Sequence, residues 1–161
     1  MKQHSKNFTV VCIVSLMILG IVSLKAQSVN SVSSSIEPVV KGKKAGWVLE
    51  WKEVKNKVAD LKWTIVKKRV DVTITETNSS EEATELLRQA TMKIPVPPKA
   101  KLTGYGDEAY LYKMDKSDQS TILIKQDTLF IFVSSSHLDH AKEFATDICG
   151  VAKKAKKAEK D

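Results

Sequence analysis

Two apolar segments in the last third of the chain, separated by a short polar break, leave few folds open to it. Residues 121–125 and 128–134 are dense in Ile, Leu, Phe and Val, and Gln126-Asp127 stands between them. Because these residue types favour a pleated, buried backbone, the pattern predicts an antiparallel hairpin. Apolar side chains at successive positions of the second segment point to opposite faces of a strand. We therefore expect the hairpin in the interior of a sheet that helices cover on both faces.

Earlier in the chain, the spacing of apolar residues predicts first a helix and then two strands. Residues 47–61 place apolar side chains three and four positions apart, which is typical of an amphipathic helix. We interpret Trp47 and Trp51 as anchors that hold this helix on the sheet, with an aromatic binding platform as the alternative. Residues 63–76 change to a period of two, which predicts two strands joined by a solvated basic turn at residues 67–69.

Two capping patterns predict the remaining helices. Ser79 is followed three residues later by Glu82, a capping box that marks a helix start, and Ser136 with Asp139 forms a similar pattern before the last helix. Prolines between the first of these helices and the hairpin exclude regular helix, so residues 93–102 are expected to be extended. This order of elements predicts the α+β class, with a single antiparallel β-sheet and helices packed on it.

The first 26 residues have the organisation of a secretory signal peptide. A basic start precedes an apolar run at residues 10–24, and cleavage is expected after Ala26. The run is shorter than the roughly 20 residues that span a bilayer, and an uncleaved signal anchor is the alternative. Residues 27–45 are rich in Ser, Val and Lys, and we interpret them as a flexible linker that precedes a folded domain at residues 46–152.

Cysteine usage follows from this export prediction. Removal of the signal peptide leaves Cys149 as the only cysteine, so the mature chain has no intramolecular disulfide and is stabilised by packing. Its position among apolar residues of the last helix predicts a small buried hydrophobe. An intermolecular disulfide or a reactive thiol is the alternative.

The formal net charge of +7 is concentrated outside the predicted domain, whose own charge is close to neutral. Residues 153–161 form a lysine-rich tail with five lysines, Lys153, Lys154, Lys156, Lys157 and Lys160. Such a tail predicts attachment to an anionic surface, and a soluble, frayed helix end is the simpler interpretation. Nucleic-acid binding is not expected, because the basic turn at residues 67–69 lacks interleaved aromatic residues.

A weak metal site is the hypothesis for the start of the last predicted helix. His140 and Glu143 share a face at positions i and i+3, and His137 lies one turn earlier. Polar residues at a helix N-terminus also occur without any metal. No cofactor is predicted, since the glycines form neither a phosphate loop nor a dinucleotide fingerprint.

A glycine-bracketed turn is the candidate ligand-binding element. The glycines permit positive φ angles, and Asp107 can accept hydrogen bonds from backbone donors in the turn. Asp107 and Glu108 are adjacent, so on a strand they point to opposite faces and make a poor acid and base pair, which argues against an enzyme. The candidate residues are Gly104, Tyr105, Gly106, Asp107, Glu108 and Tyr110.

Taken in order, these segments resemble small exported bacterial proteins of uncharacterised function that have a GDEAY motif and a PsbP-like α/β/α sandwich. The resemblance is carried by residues 80–83, 102–110, 127–133 and 141–145, and it extends over about residues 47–152. It implies an α/β/α sandwich and an exported, non-catalytic module.

We therefore expect a binding or interaction module of the bacterial cell envelope, in the periplasm or secreted, that takes a small ligand or an envelope protein. A sheet face or a groove beside the Gly104 turn would form the site. Attachment through the lysine tail, weak metal binding and a small hydrolase are the alternatives from other classes.

Overall fold

Seven antiparallel strands form one sheet, and three helices pack on its two faces, in a computed structural model that describes residues 28–114 and 118–158. The helices are α1 (Val29–Lys43), α2 (Ser80–Lys93) and α3 (Leu138–Ala158). The strands are β1 (Val48–Lys55), β2 (Val58–Ile65), β3 (Lys68–Glu76), β4 (Ala100–Leu102), β5 (Glu108–Lys113), β6 (Ser120–Gln126) and β7 (Leu129–Ser135). Their order across the sheet is β1-β2-β3-β7-β6-β5-β4. The predicted α+β class with one antiparallel sheet is confirmed, and the predicted signal peptide, residues 1–26, lies outside the described residues.

The predicted hairpin of β6 and β7 lies at the centre of the sheet, with β7 between β6 and β3. Its turn is Asp127-Thr128, one residue later than predicted, because Gln126 still pairs with Leu129 and is buried. Both sides of β7 carry apolar side chains as predicted, but they are buried to different extents. Phe130 and Phe132 are half-buried on one face, and three aliphatic side chains are fully buried on the other, Leu129, Ile131 and Val133.

One face of the sheet, here called the two-helix face, lies under α1 and α3 and holds the main core. Phe144 of α3 is fully buried, with ring centroids 5.0 Å from Trp47 and 5.9 Å from Trp63 of β2. At the C-terminal end of α1, Lys43 Nζ lies 2.7 Å from a carboxylate oxygen of the buried Asp147. Aromatic packing and this ion pair join the two helices to each other and to the sheet.

The flexible linker predicted at residues 27–45 is wrong, because most of this segment is α1. Its apolar residues recur three and four positions apart, between serines and lysines, and they are fully buried: Val29, Val32, Ile36 and Val40. A buried Val or Ile side chain contributes about 1.5–3 kcal/mol, so α1 is part of the core. The folded domain therefore begins near Val29 and not at residue 46.

The helix predicted at residues 47–61 is also wrong, because this segment forms the β1–β2 hairpin. Its register shifts between Leu49 and Trp51, and this bulge disturbs the period of two that would have indicated a strand. Trp47 is buried and packs on Phe144 of α3, so it does not have the predicted role of holding a helix at residues 47–61 on the sheet. Trp51 does not anchor anything, since 56% of its surface is exposed.

The opposite face, here called the one-helix face, carries only α2. The predicted helix cap is present: Glu82 N donates to Ser79 Oγ at 3.2 Å, while Glu82 Oε2 accepts from Asn78 N, one residue before the N-cap, at 2.8 Å. Leu87 of α2 packs with Leu123 of β6 in a small second core. Because α2 packs mainly on β6 and β7, with Leu87 also in the same small core as Tyr112 of β5, this face is bare over β1 to β3 and partly open over β5.

The last helix has the predicted buried face and continues into the predicted tail. Cys149 is buried, as expected of a small hydrophobe, and burial raises the pKa of its thiol to about 11. Within the described part of the chain, no helix combines the length and the apolar character needed to cross a membrane.

Candidate ligand-binding groove

The open part of the one-helix face is a groove of about 690 Å³. Leu87 and Met92 of α2 form one wall, and the segment 94–98 that follows α2 forms the other. The floor comes from alternate residues of β5, Glu108, Tyr110 and Tyr112. A volume between about 300 and 1,000 Å³ with mainly apolar walls is typical of sites for small molecules.

The proline-rich segment creates the second wall. Pro95 ends the helical run because proline lacks an N–H, and the chain then returns along the sheet edge toward β4. Ile94 and Val96 are half-buried against the second core, which holds the segment close to the floor. The return is pinned where Lys99 N donates to the Leu111 carbonyl oxygen at 2.7 Å.

The two ends of the groove differ in chemistry. At one end the Tyr110 hydroxyl donates to Glu108 Oε1 at 2.6 Å, and Lys101 Nζ lies 3.3 Å from the same oxygen. The hydrogen bond from Tyr110 is the largest influence and lowers the pKa of Glu108; partial burial opposes it, and the smaller contribution of Lys101 adds to the lowering. The same bond raises the pKa of Tyr110. Glu108 is therefore a carboxylate at neutral pH.

The other end is more deeply buried. Only 2% of Tyr112 is exposed, and burial raises the pKa of its hydroxyl. Arg88 lies at the rim with its Nε and Nη2 atoms 2.7 and 2.6 Å from the two carboxylate oxygens of Glu85. Because Arg88 is held in this bidentate pair on the surface of α2, the residues that line the groove present no free cation to its apolar interior.

The predicted turn contains residues that shape its backbone and residues that line the groove. Gly104 and Gly106 both have positive φ, +86° and +61°. At Gly106 an added Cβ would lie 2.5 Å from the Lys125 carbonyl oxygen, so only glycine fits there. Of the six candidate residues, Glu108 and Tyr110 line the groove, and Gly104, Tyr105, Gly106 and Asp107 do not.

Asp107 fixes this turn to the β6–β7 hairpin. Its Oδ2 atom accepts from Asp127 N at 2.7 Å and lies 3.1 Å from Lys125 Nζ. Burial disfavours the charged form, but the hydrogen bonds from Asp127 N and Lys125 outweigh it, and the pKa of Asp107 is lowered. The aspartate of the GDEAY motif thus joins two segments of the sheet and is turned away from the groove.

The histidine cluster does not form a convergent set of ligands. His140 Nδ1 lies 4.0 Å from Glu143 Oε2, while Lys44 Nζ lies 2.9 Å from the same oxygen. The His137 and His140 rings meet edge to face, with centroids 5.5 Å apart. Among residues 28–114 and 118–158 there is no group of three or more His, Cys, Asp or Glu side chains placed to hold a metal.

The tail lysines lie far from the groove, on the last turns of α3. Lys156 Nζ is 2.7 Å from Asp127 Oδ2, so it serves to hold the helix on the β6–β7 turn. Lys153, Lys154 and Lys157 are exposed, and Lys160 lies outside the described residues.

Sequence reasoning did not identify the walls of the groove. The sequence predicted a helix that starts after Ser79 and an extended connection at residues 93–102, and both predictions are correct locally. The groove depends on how far α2 covers the sheet, which no local pattern specifies. The available signal was a proline-rich segment directly after an amphipathic helix and before Tyr110, since such a segment cannot extend the helical cover.

Comparison with known proteins adds no assignment: no family model, no curated protein and no solved structure matches this chain.

Proposed function

We propose that this protein is a non-catalytic binding module of the bacterial cell envelope that takes a small, mainly apolar ligand in the groove on its one-helix face. The observation that carries the proposal is the groove itself, about 690 Å³ with walls of Leu, Met, Ile, Val and Pro side chains. Burial of an apolar ligand in such a site is favoured by about 25 cal/mol per Å² of apolar surface removed from water. The envelope location rests on the signal peptide predicted for residues 1–26.

The polar end of the groove favours ligands that carry a hydrogen-bond donor. Glu108 is an ionised acceptor, and the Tyr110 hydroxyl already donates its proton to Glu108, so its oxygen can only accept. A hydroxyl or amine at one end of an apolar ligand would satisfy both groups. The nearby Lys101 balances the charge of Glu108, so a neutral donor fits as well as a cationic one.

The state of Glu108 supports binding over catalysis. A general base or acid that works near neutral pH needs a pKa close to 7. The contacts from Tyr110 and Lys101 move the pKa of Glu108 in the opposite direction. The carboxylate is thus suited to hold a donor and is a weak proton acceptor.

The proposal is tested with a neutral fluorescent probe, N-phenyl-1-naphthylamine, which has an apolar body and one N–H donor. We expect saturable binding with an increase in fluorescence. Met92→Glu places a carboxylate on the groove wall, beside Arg88, and should weaken binding at least about tenfold, because an apolar ligand in the groove would remove this charge from water. Met92 is 71% exposed in the free protein, so the substitution should leave folding intact.

The matched control is Val48→Glu, which adds the same charge at a side chain that is 60% exposed and outside the groove. It should bind the probe as the unmodified protein does. Absence of saturable binding, or an equal loss in both variants, would refute the groove as the binding site.

A further inference from the structure

One of the three tight hairpins carries a residue that its backbone disfavours. Each hairpin has a two-residue turn whose first residue has a positive φ: Asn56 (55°), Val66 (51°) and Asp127 (55°). Asn and Asp tolerate this conformation, because their short polar side chains can bond locally. A β-branched residue does not tolerate it, so Val66 is a genuine outlier.

Burial does not compensate for the strained conformation of Val66. Its side chain is 96% exposed, the most exposed large hydrophobic residue of the described chain. An exposed valine in a strained conformation adds nothing to the packing of the core. The alternative reason for its presence is contact with another molecule.

The residues next to Val66 are cationic. Lys67, Lys68 and Arg69 follow it and are all exposed. Arg69 is paired with Asp71 at 2.6 Å. Lys67 and Lys68 form no ion pair within residues 28–114 and 118–158, so the tip of the hairpin has two uncompensated positive charges beside an exposed apolar side chain. We name this tip, residues 66–68, the Val66 tip.

Further apolar surface lies on the same side of the molecule. Val48 of edge strand β1 pairs with Thr64, two residues before the tip, and Trp51 pairs with Lys62. Val48 is 60% and Trp51 is 56% exposed. Tryptophan is enriched at membrane interfaces, where its ring meets the headgroup layer.

We propose that the Val66 tip docks this protein on an anionic lipid surface. The valine enters the interface while Lys67 and Lys68 meet the negative headgroups, so that the apolar and the charged contacts act together. A single protruding side chain favours a lipid layer over a protein partner, because a specific protein interface needs on the order of 1,000 Å² of complementary surface. The Val66 tip joins β2 to β3 and does not line the groove, so this inference is independent of the proposed ligand.

The test uses residues 27–161, the chain that the cleavage predicted after Ala26 would leave, which contains every strand, helix and core residue described. Cosedimentation is measured with phosphatidylcholine vesicles that contain or lack phosphatidylglycerol, at low and at near-physiological salt. We expect binding only with phosphatidylglycerol and weaker binding at higher salt. Lys67→Gln with Lys68→Gln should lower the affinity about fivefold or more per lysine.

Val66→Asn separates the apolar contact from the charge. It should weaken vesicle binding several-fold, and it should raise the midpoint of thermal unfolding, because Asn relieves the backbone strain. Lys153→Gln with Lys154→Gln removes two exposed charges near the end of α3, at the opposite end of the sheet, and should leave the affinity within about twofold.

Four results would overturn the inference. They are absence of binding to phosphatidylglycerol, equal binding to phosphatidylcholine alone, loss of binding in the α3 variant with retention in the tip variants, and a Val66→Asn protein that unfolds at a lower temperature. The last result would assign the valine to the fold.

Discussion

The two faces of the sheet are built from the same strands but are covered to different extents. On the two-helix face, α1 and α3 enclose a continuous core that includes the fully buried Trp63 and Phe144. On the one-helix face, α2 encloses a small core and leaves a groove over β5 and a bare surface over β1 to β3. The second arrangement leaves space for a ligand. Cover by one helix in place of two therefore gives the one-helix face the space that the proposed binding function requires.

The largest expected effect tests this comparison with one substitution on each face. Phe144→Ala on the two-helix face removes a fully buried ring and should lower the free energy of unfolding by about 3–5 kcal/mol. Phe132→Ala on the one-helix face removes a half-buried ring and should cost about 1–2 kcal/mol. Chemical denaturation measures both values. Equal costs would show that the two faces contribute alike.

An intermediate loss of stability is expected from substitutions in the glycine-bracketed turn that precedes β5. Gly106→Ala combines a positive φ with a Cβ only 2.5 Å from the Lys125 carbonyl oxygen, so we expect a loss of about 2–4 kcal/mol. Gly104→Ala has a positive φ but no neighbour within 4 Å of the added Cβ, so it should cost about 1–2 kcal/mol. The difference between the two denaturation midpoints measures the close approach alone. Equal midpoints would contradict it.

The smallest expected effect is a loss of stability in mild acid, which involves the two-helix face. Burial, followed by the charge of Lys68, lowers the pKa of His140, whose ring centroid lies 5.2 Å from that of Trp47 at the edge of the two-helix face. The folded state then binds this proton less readily than the unfolded state. Stability is complete above the unfolded pKa of about 6.5 and falls as the pH decreases below it. The lowered pKa of Glu108 keeps the groove ionised over the same range.

Thermal unfolding at about pH 7.5 and about pH 5.5, on either side of the histidine titration, measures this response. His140→Gln should remove part of the decrease in the unfolding midpoint. His137→Gln, which replaces the exposed neighbour, should retain it. An unchanged decrease in the His140 variant would show that other groups carry the response.

The sequence predicted most reliably the segments whose apolar pattern is regular over most of their length. The β6–β7 hairpin was predicted because both sides of β7 carry apolar residues, and α3 because one face of the helix is apolar throughout. Strand β1 was missed for the opposite reason. It is an edge strand with a bulge and an exposed Trp51, so the spacing from Trp47 to Leu61 imitated a helix.

Helix α1 was missed although its periodic pattern is present. Val29, Val32 and Ile36 have helical spacing, but the serines between them and Pro38 inside the helix are typical of a linker. The composition thus concealed the period. Burial against α3 determines the outcome, in line with the general finding that tertiary packing supplies most helical stability.

For the candidate site, prediction was limited to the elements that residues define locally. Glu108 and Tyr110 were candidates because they belong to the motif, and both line the groove. Met92 and the segment 94–98 were not candidates, because their role depends on the distance between α2 and the sheet edge. Family membership and export remain predictions from the sequence.

The two ends of the described chain lie together, because Val29 N donates to Glu76 Oε2 and Lys156 is paired with Asp127. Both points are at the end of the sheet opposite the Val66 tip, separated from it by β3, whose nine residues extend over about 30 Å. A tether attached beside Ser28 or Ala158 would therefore hold the molecule upright on a solid support, with residues 66–68 facing the solution. Immobilised in this way, the protein can be probed for what its distal loop contacts without interference from the point of attachment.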